Sequence, residues 1–175
     1  QDGKDYTFTK DITLDVLNAD DLVYIGIDAS HYNEYVNGNY KDSMGNFGEL
    51  ASKYSVRTVQ LNTSAELIAA CSNPKYKALI LTAPSRRLAA AQADPKTYSA
   101  EELAAITAFN NAGGTVILAG WSDNYENYDV IQNNPAIKHM AATQNEVLAA
   151  LGSSLRISDD ATYDDDRSAA DGVDK

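Results

Sequence analysis

The stretch KALILTAP, residues 77–84, decides the fold class of this chain. Its apolar side chains follow one another without the alternation that a half-exposed strand shows, and Pro84 ends the run sharply. Such runs are typical of strands in parallel sheets, because helices cover both faces of those sheets. We therefore expect a buried strand here, within a mainly parallel sheet.

Further strand-like segments lie on both sides of this stretch. Four of them are short apolar or half-buried runs, and one alternating run near the start is a candidate edge strand or lead-in. In chain order they are YTFTKDITLDV (6–16), LVYIGI (22–27), VRTVQL (56–61), TVILAG (115–120) and SLRIS (154–158). The pattern therefore predicts a sheet of five to six strands.

Helical segments alternate with these strands. Apolar residues recur at helical spacing within residues 43–54, 63–73, 99–114 and 143–152. Thr63 or Ser64, Ser99 and Thr143 are candidate N-caps, with Glu66, Glu101, Glu102 and Glu146 following in the first turns. Because parallel strands need crossover connections, this alternation predicts an α/β fold with a doubly wound, mainly parallel sheet and helices on both faces.

The length of 175 residues favours a single domain. We expect residues 1–20 to form the lead-in or edge strand, residues 21–165 the domain, and residues 166–175 a flexible acidic tail or linker. The chain begins at Gln1 and ends in a polar acidic run, which favours an excised module whose partners are the neighbouring domains of a longer polypeptide.

The charge balance bears on the partners. Lys and Arg number 14 against 25 Asp and Glu, a net charge of -11, so the field of the chain repels phosphate backbones and anionic membranes. The longest apolar runs have strand length, far short of the ~20 residues that span a bilayer. Eleven Tyr against three Phe is a composition common on secreted bacterial proteins. We expect no direct nucleic-acid partner, no membrane insertion, and a secreted or cell-surface bacterial location.

Polar and aromatic residues follow the predicted strands where each strand ends. In open parallel sheets, ligands bind at the carboxyl ends of the strands, near the point where the strand order reverses. The loops there are long, and long loops in compact domains are often functional. The candidate ligand-binding residues are Asp28, His31, Tyr35, Arg86, Trp121, Asp123 and Tyr125.

Nucleophilic catalysis has one incomplete candidate. Ser122 with His31 as base and Asp28 as orienting acid has the residue types of a hydrolase triad. However, GWSDN (120–124) lacks the final glycine of a G-x-S-x-G elbow, and no helix clearly follows it. Cys71 lies inside a predicted helix, where a small buried core residue is the simpler interpretation. The pattern favours a protein without catalytic activity over an enzyme.

Metal, cofactor and phosphate sites are less well supported. Asp28 and His31 with Asp123 or His139 have no diagnostic ligand spacing, so we predict no metal. The loop after the first strand has no glycines directly after the strand to cradle a phosphate, so we predict no cofactor. Arg86 and Arg87 together can grip a carboxylate or sulfate, although a plain surface arginine pair is the alternative.

Trp121, the only Trp, is followed closely by Tyr125 and Tyr128. Exposed aromatic rings beside Asn and Asp are typical of sugar recognition, so a glycan or another small polar ligand is a candidate partner. The alternative is that Trp121 plugs the top of the core. Asp28 and His31 have a structural alternative too, in which they satisfy the hydrogen bonds of their own loop.

Several motifs together resemble the class I glutamine amidotransferase-like domains, which have a flavodoxin-like α/β fold. They are DASH (28–31) after a strand, ALILTAP (78–84), SAEEL (99–103), the glycine pair 113–114, and NEVLAALGSSLRISDDATYDD (145–165). The resemblance extends over residues 22–165. It is strongest to the non-catalytic bacterial relatives found in large secreted multidomain proteins.

The resemblance implies that the catalytic residues have been lost. Trp121 or Ser122 stands where the nucleophilic Cys of the active members is expected, and His139 is followed by Met140 rather than by the x-Glu of a catalytic pair. The resemblance therefore implies an accessory domain without glutaminase activity, which binds a ligand or positions its neighbours. Asp28, His31, Trp121 and Asp123 would line its cleft.

Overall fold

A computed structural model describes residues 3, 7, 9–12, 18, 21–41, 43–122, 126 and 134–158. The predicted lead-in, at residues 1–20, lies mostly outside these residues, and the acidic tail at 166–175 lies entirely outside them. In the described part of the chain, no helix is both long enough and apolar enough to cross a membrane.

Four parallel strands form the sheet in the described part of the chain, in the order β2-β1-β3-β4. The central pair, β1 and β3, is flanked by β2 on one side and by β4 on the other. Their bounds are β1 Val23–Asp28, β2 Val56–Leu61, β3 Tyr76–Thr82 and β4 Thr115–Ala119. The prediction of an α/β protein with a parallel sheet is thereby confirmed.

Five helices connect or follow these strands within the described residues. They are α1 Gly45–Ser52, α2 Ser64–Ser72, α3 Ala89–Ala93, α4 Ala100–Asn111 and α5 Met140–Ala150. The short helix α3 was not predicted, because its AAAQA segment is too brief to show helical periodicity.

Two of the predicted helix starts are confirmed in atomic detail. The hydroxyl groups of Thr63 and Ser99 accept hydrogen bonds from the backbone N–H of Glu66 and Glu102, whose carboxylates accept bonds from the cap residues in return. These reciprocal bonds are capping boxes, which satisfy N–H groups that the first helical turn leaves without partners.

The predicted cap of the last helix is wrong. Helix α5 begins at Met140, and Thr143 lies inside it, buried, with its hydroxyl donating to the His139 carbonyl at 2.8 Å. A threonine can bond to the carbonyl one turn earlier in a helix, so a cap residue type does not by itself mark a helix start.

The predicted strand at 154–158 is not a strand of the described sheet. The backbone N–H of Ile157 donates to Asn145 Oδ1 at 2.8 Å, and its carbonyl accepts from Asn145 Nδ2 at 2.9 Å. The Asn145 side chain, on α5, thus makes the two backbone hydrogen bonds that a neighbouring strand would otherwise make.

The main core lies between one side of the sheet and three helices. Because side chains alternate across a strand, neighbouring residues of β2 point in opposite directions. Leu61 belongs to the core, whereas Thr58 and Gln60 line a cleft against α1. The buried core residues are Leu61, Leu67, Ala70, Leu79, Leu81, Tyr98, Ile106, Phe109 and Val147.

Candidate functional site

The loop after β1 divides its residues between the interior and the surface. Asp28, His31 and Glu34 are buried, whereas Tyr35 is half-buried and Tyr40 has 41% of its surface exposed. The loop lies at the carboxyl end of a central parallel strand, where ligands bind in such sheets. Its two sets of side chains therefore form two different sites.

Asp28 is the centre of the buried set and its carboxylate has a full complement of donors. Oδ1 accepts from the Ser30 N–H at 3.0 Å and the Ser30 hydroxyl at 2.7 Å. Oδ2 lies 2.8 Å from His31 Nδ1 and accepts from Asn33 Nδ2 at 3.0 Å and from the Tyr98 hydroxyl at 3.1 Å. Burial alone would raise the pKa of Asp28, but the hydrogen bonds and charge of His31 and the bonds from Ser30 lower it below its usual value.

His31 lies between two carboxylates. Its Nδ1 faces Asp28 and its Nε2 lies 3.4 Å from Glu102 Oε1, while its ring packs on Tyr98 with centroids 4.2 Å apart. Burial opposes the charge, but the two carboxylates outweigh it and raise the pKa of His31 to about 9. A pKa raised in this way favours the imidazolium form at neutral pH. We call Asp28, His31 and Glu102 the buried charge cluster.

Glu102 connects this cluster to helix α4. Its Oε2 accepts from the Ser99 N–H at 2.7 Å as part of the capping box, while Oε1 faces His31. Burial would raise the pKa of Glu102, but bonds from His31 and from the Ser99 backbone lower it to about 2. One carboxylate thus caps a helix and holds the histidine of a distant loop.

The cluster differs from a hydrolase triad. In a triad, one ring nitrogen of the histidine faces an acid and the other faces the nucleophile. Here both nitrogens of His31 face carboxylates, and neither bonds to Ser122. His31 is also 3% exposed, so a substrate has no access to it. These contacts favour the structural alternative for Asp28 and His31, and the part of both residues in ligand binding stays a prediction.

Arg86 is also buried, so the alternative of a plain surface arginine does not hold for this residue. Its guanidinium donates to the carbonyls of Lys138 at 3.0 Å, Ser85 at 2.9 Å and Lys96 at 2.8 Å, and to the Thr143 hydroxyl at 3.3 Å. These bonds fasten the loop after β3 to the segment before α4 and to the start of α5. Arg86 therefore holds backbone in place.

Tight local bonds shape the outer part of the first loop. The Asn33 carbonyl accepts from the N–H groups of Val36, Asn37 and Gly38, and Glu34 accepts from the backbone of Asn39 and Tyr40. A Cβ atom at Gly38 would lie 2.6 Å from the Cα of Glu34, so the turn needs glycine there. The turn brings Tyr40 back beside Tyr35.

Three aromatic rings come together on the outside of this loop. Tyr35 and Trp121 stack with centroids 5.5 Å apart and an interplanar angle of 20°. Tyr40 lies 5.0 Å from Trp121 and 6.2 Å from Tyr35. Trp121 and Tyr35 are half-buried and Tyr40 is exposed. We call these residues the aromatic trio.

The sequence predicted two members of the trio and missed the third. Tyr35 and Trp121 were candidates because each follows a strand end, and the structure brings them into contact. Tyr40 was missed, although the Asn37-Gly38 pair is a recognised turn signal that predicts a reversal of the chain there. Asp123 and Tyr125, the remaining candidates, lie outside the described residues.

Two of the open cavities near the sheet include residues that the sequence analysis singled out. One, of about 310 Å³, lies between α1 and the sheet and is lined by Tyr35, Ile27, Val36, Met44 and Thr58, among others. The other, of about 270 Å³, lies near the start of β3 and includes Cys71. Burial raises the pKa of the Cys71 thiol to about 11, so it is a poor nucleophile at neutral pH.

Comparison of the chain with protein-family models, with curated proteins and with solved structures finds no match. Among the residues that the structure describes, no group of three or more His, Cys, Asp or Glu side chains has the arrangement of a metal site. We therefore infer the function from the local geometry of the trio and its surroundings.

Proposed function

We propose that this domain is a non-catalytic binding module whose ligand is a neutral glycan held on the aromatic trio. The observation that carries the proposal is the contact of Tyr35, Tyr40 and Trp121 at the carboxyl edge of a parallel sheet. Aromatic faces stack on the C–H faces of sugar rings, and Tyr and Trp side chains are suited to such contacts.

The exposure of the trio supports this proposal over the interpretation of Trp121 as a core plug. Tyr40 is 41% exposed, and the other two rings are half-buried, whereas the rings of Tyr98 and Phe109 in the core are almost fully buried. Two rings anchored by packing, with a third at the surface, form a platform that loses little entropy when a ligand binds.

The charge of the protein favours a neutral ligand. With a net charge of -11, the domain repels anions at long range. The arginine that was a candidate for an anion, Arg86, is buried and bonded to backbone carbonyls. Phosphorylated or carboxylated ligands are therefore weaker candidates than neutral sugars.

The absence of catalysis is part of the proposal. Nucleophilic hydrolysis would need a histidine with one ring nitrogen directed at the nucleophile. The contacts of His31 with Asp28 and Glu102 occupy both nitrogens, which supports a binding role for this edge of the sheet.

We further propose that the fold is doubly wound and of the amidotransferase-like type, with a sheet of five to six strands. The order β2-β1-β3-β4 supports this, because flavodoxin-like sheets have the order 2-1-3-4-5. The alternation of Thr58 toward α1 and Leu61 toward α2 is consistent with helices on both faces. In this proposal the domain is an accessory part of an extracellular bacterial multidomain protein, where it also positions its neighbours.

Tryptophan fluorescence tests the binding function directly, because Trp121 is the only Trp and belongs to the trio. We expect a saturable change when the purified domain is titrated with neutral oligosaccharides. Tyr40→Ala should weaken the affinity about tenfold, the equivalent of losing about 1.4 kcal/mol of stacking. Tyr54→Ala, at an exposed tyrosine outside the trio, is the matched control and should bind normally.

A flat response from the folded domain across the panel would contradict the proposal. That result would leave domain positioning as the function, and the spacer role can then be tested by deleting the domain from its parent protein.

A further inference from the structure

The cavity of about 310 Å³ opens beside the aromatic trio and shares Tyr35 with it. Its volume is at the lower end of the range of roughly 300–1,000 Å³ that small-molecule sites occupy. A ligand stacked on the trio is therefore next to a cleft that can receive a small substituent of that ligand.

The lining of the cleft is apolar on one part and polar on another. Ile27, Val36 and Met44 are its aliphatic members, and Thr58 and Gln60 of β2 are its polar ones. Such a lining does not suit a plain sugar hydroxyl, which would lose its hydration against the aliphatic side chains without full compensation. It suits a short group with a methyl end and an amide.

The two polar side chains have complementary hydrogen-bonding capacity. The Thr58 hydroxyl makes no hydrogen bond with the residues that the structure describes, and Gly48 opposite it has no side chain to cover it. Gln60 donates its Nε2 to Asn62 Oδ1 at 2.8 Å, which fixes the amide and leaves its carbonyl oxygen as an acceptor. The pair thus offers a donor and an acceptor, which a secondary amide requires.

We propose that this cleft is a subsite for an acetamido group, so that the ligand class is N-acetylated amino sugars. The methyl lies against the aliphatic lining, the amide carbonyl accepts from the Thr58 hydroxyl, and the amide N–H donates to Gln60. This inference rests on the proposed glycan-binding function, and it names the class of sugar that the site selects.

Gly45 gives a direct way to close the cleft. It is the first residue of α1 and lines the cavity, and a Cβ atom there would meet nothing within 4 Å. Gly45→Leu should therefore add an aliphatic side chain at the lining of the cleft without displacing the backbone, and leucine is a better helix former than glycine. Glu49→Leu, at an exposed residue of the same helix that is not among the lining residues of the cavity, is the matched control.

The experiment compares two trisaccharides with the same β-1,4-linked backbone, tri-N-acetylchitotriose and cellotriose, by Trp121 fluorescence. We expect the wild-type domain to bind the acetylated sugar at least tenfold more tightly. Gly45→Leu should reduce the affinity ratio to near one, Thr58→Val should reduce it severalfold, and Glu49→Leu should preserve it. Thermal unfolding of each variant shows that the domain remains folded.

The outcomes separate this inference from the proposed function. If both sugars bind equally and Tyr40→Ala weakens both, the acetamido subsite is refuted and the glycan-binding function stands. If the preference exists but Gly45→Leu leaves it unchanged, the acetamido group is bound elsewhere and the inference fails. If neither sugar nor any other neutral glycan binds, the proposed function fails and the inference falls with it.

Discussion

The buried charge cluster and the aromatic trio come from the same loop, yet their surroundings are opposite. Asp28 accepts five hydrogen bonds in the interior. Tyr35 and Tyr40 lie nearer the surface only a few residues later, where both rings contact Trp121. Residues of catalytic type therefore hold this loop in place, whereas aromatic residues of the same loop reach solvent.

The buried cluster connects several parts of the molecule to the base of the loop. Asn33 donates both to Asp28 and to the carbonyl of Thr82 at the end of β3, and Glu102 brings in the start of α4. Tyr98 adds the segment before that helix. A loop fixed at its base in this way presents its outer rings in a defined geometry, which reduces the entropy lost on binding.

The largest expected effect is that of Asp28→Ala. Removing this carboxylate leaves His31 charged and buried beside a cavity, with the Asn33 amide and the Tyr98 hydroxyl each losing a partner. Removing one partner of a buried ion pair lowers the free energy of unfolding by about 3–5 kcal/mol. Urea unfolding should show a loss of this size in the free energy of unfolding.

Asp94→Ala is the control for that experiment. Asp94 pairs with Lys96 at the surface, and exposed pairs contribute about 0–1 kcal/mol. If Asp28→Ala is as harmless as Asp94→Ala, the cluster does not stabilise the fold and the comparison between the two regions fails.

The second effect is a dependence of stability on pH. The folded state raises the pKa of His31 from 6.5 to about 9, so its contribution is fully present below pH 6.5 and is lost as the pH rises toward 9. A shift of this size corresponds to a loss of about 2–3 kcal/mol across that window. Glu102 has the opposite pH dependence. Because its pKa is lowered in the folded state, its contribution to stability is lost as the pH falls from 4.5 to about 2.

His31→Gln should remove most of the loss between pH 6.5 and 9, since glutamine can bond to both carboxylates but does not titrate. The free energy of unfolding at both pH values is the measurement. The chain has one other histidine, His139, whose Nδ1 lies 2.5 Å from Glu126 Oε2, so His139→Gln is measured in parallel. If His139→Gln, and not His31→Gln, removes the loss in the free energy of unfolding between these pH values, His31 is not charged in the folded protein.

Local patterns in the sequence predicted most of the sheet and the helix starts. The apolar run at 77–84 and the caps Thr63 and Ser99 depend on residues close together in the chain, and the structure has these features. The strand expected at 154–158 failed because its hydrogen-bonding partner is a side chain, Asn145, which propensity does not register.

The sequence predicted the candidate site only in part, because some of its contacts join residues that are far apart in the chain. The position of Asp28, His31 and Trp121 at strand ends follows from the order of the segments. The partner Glu102, 71 residues after His31, was visible only as a helix-capping residue, because its second contact depends on tertiary packing. Whether His31 is a base or a structural cation is decided by that long-range contact.

The smallest expected effect gives the sharpest comparison, because the same chemical change can be made in both regions. Tyr98→Phe and Tyr40→Phe each remove one phenol oxygen. The Tyr98 hydroxyl is buried and donates to the charged Asp28, so its loss should cost about 2 kcal/mol. Tyr40 is 41% exposed, and the change there should lie within about 0.5 kcal/mol.

Paired urea unfolding curves measure both costs under one set of conditions, with the slope of each curve confirming that the unfolded states are alike. Equal costs would mean that the two regions are equally important for folding, and the division of the loop into a structural part and a binding part would be wrong. A difference of the expected size would leave the surface of the trio free to vary with its ligand, because substitutions there cost the fold almost nothing.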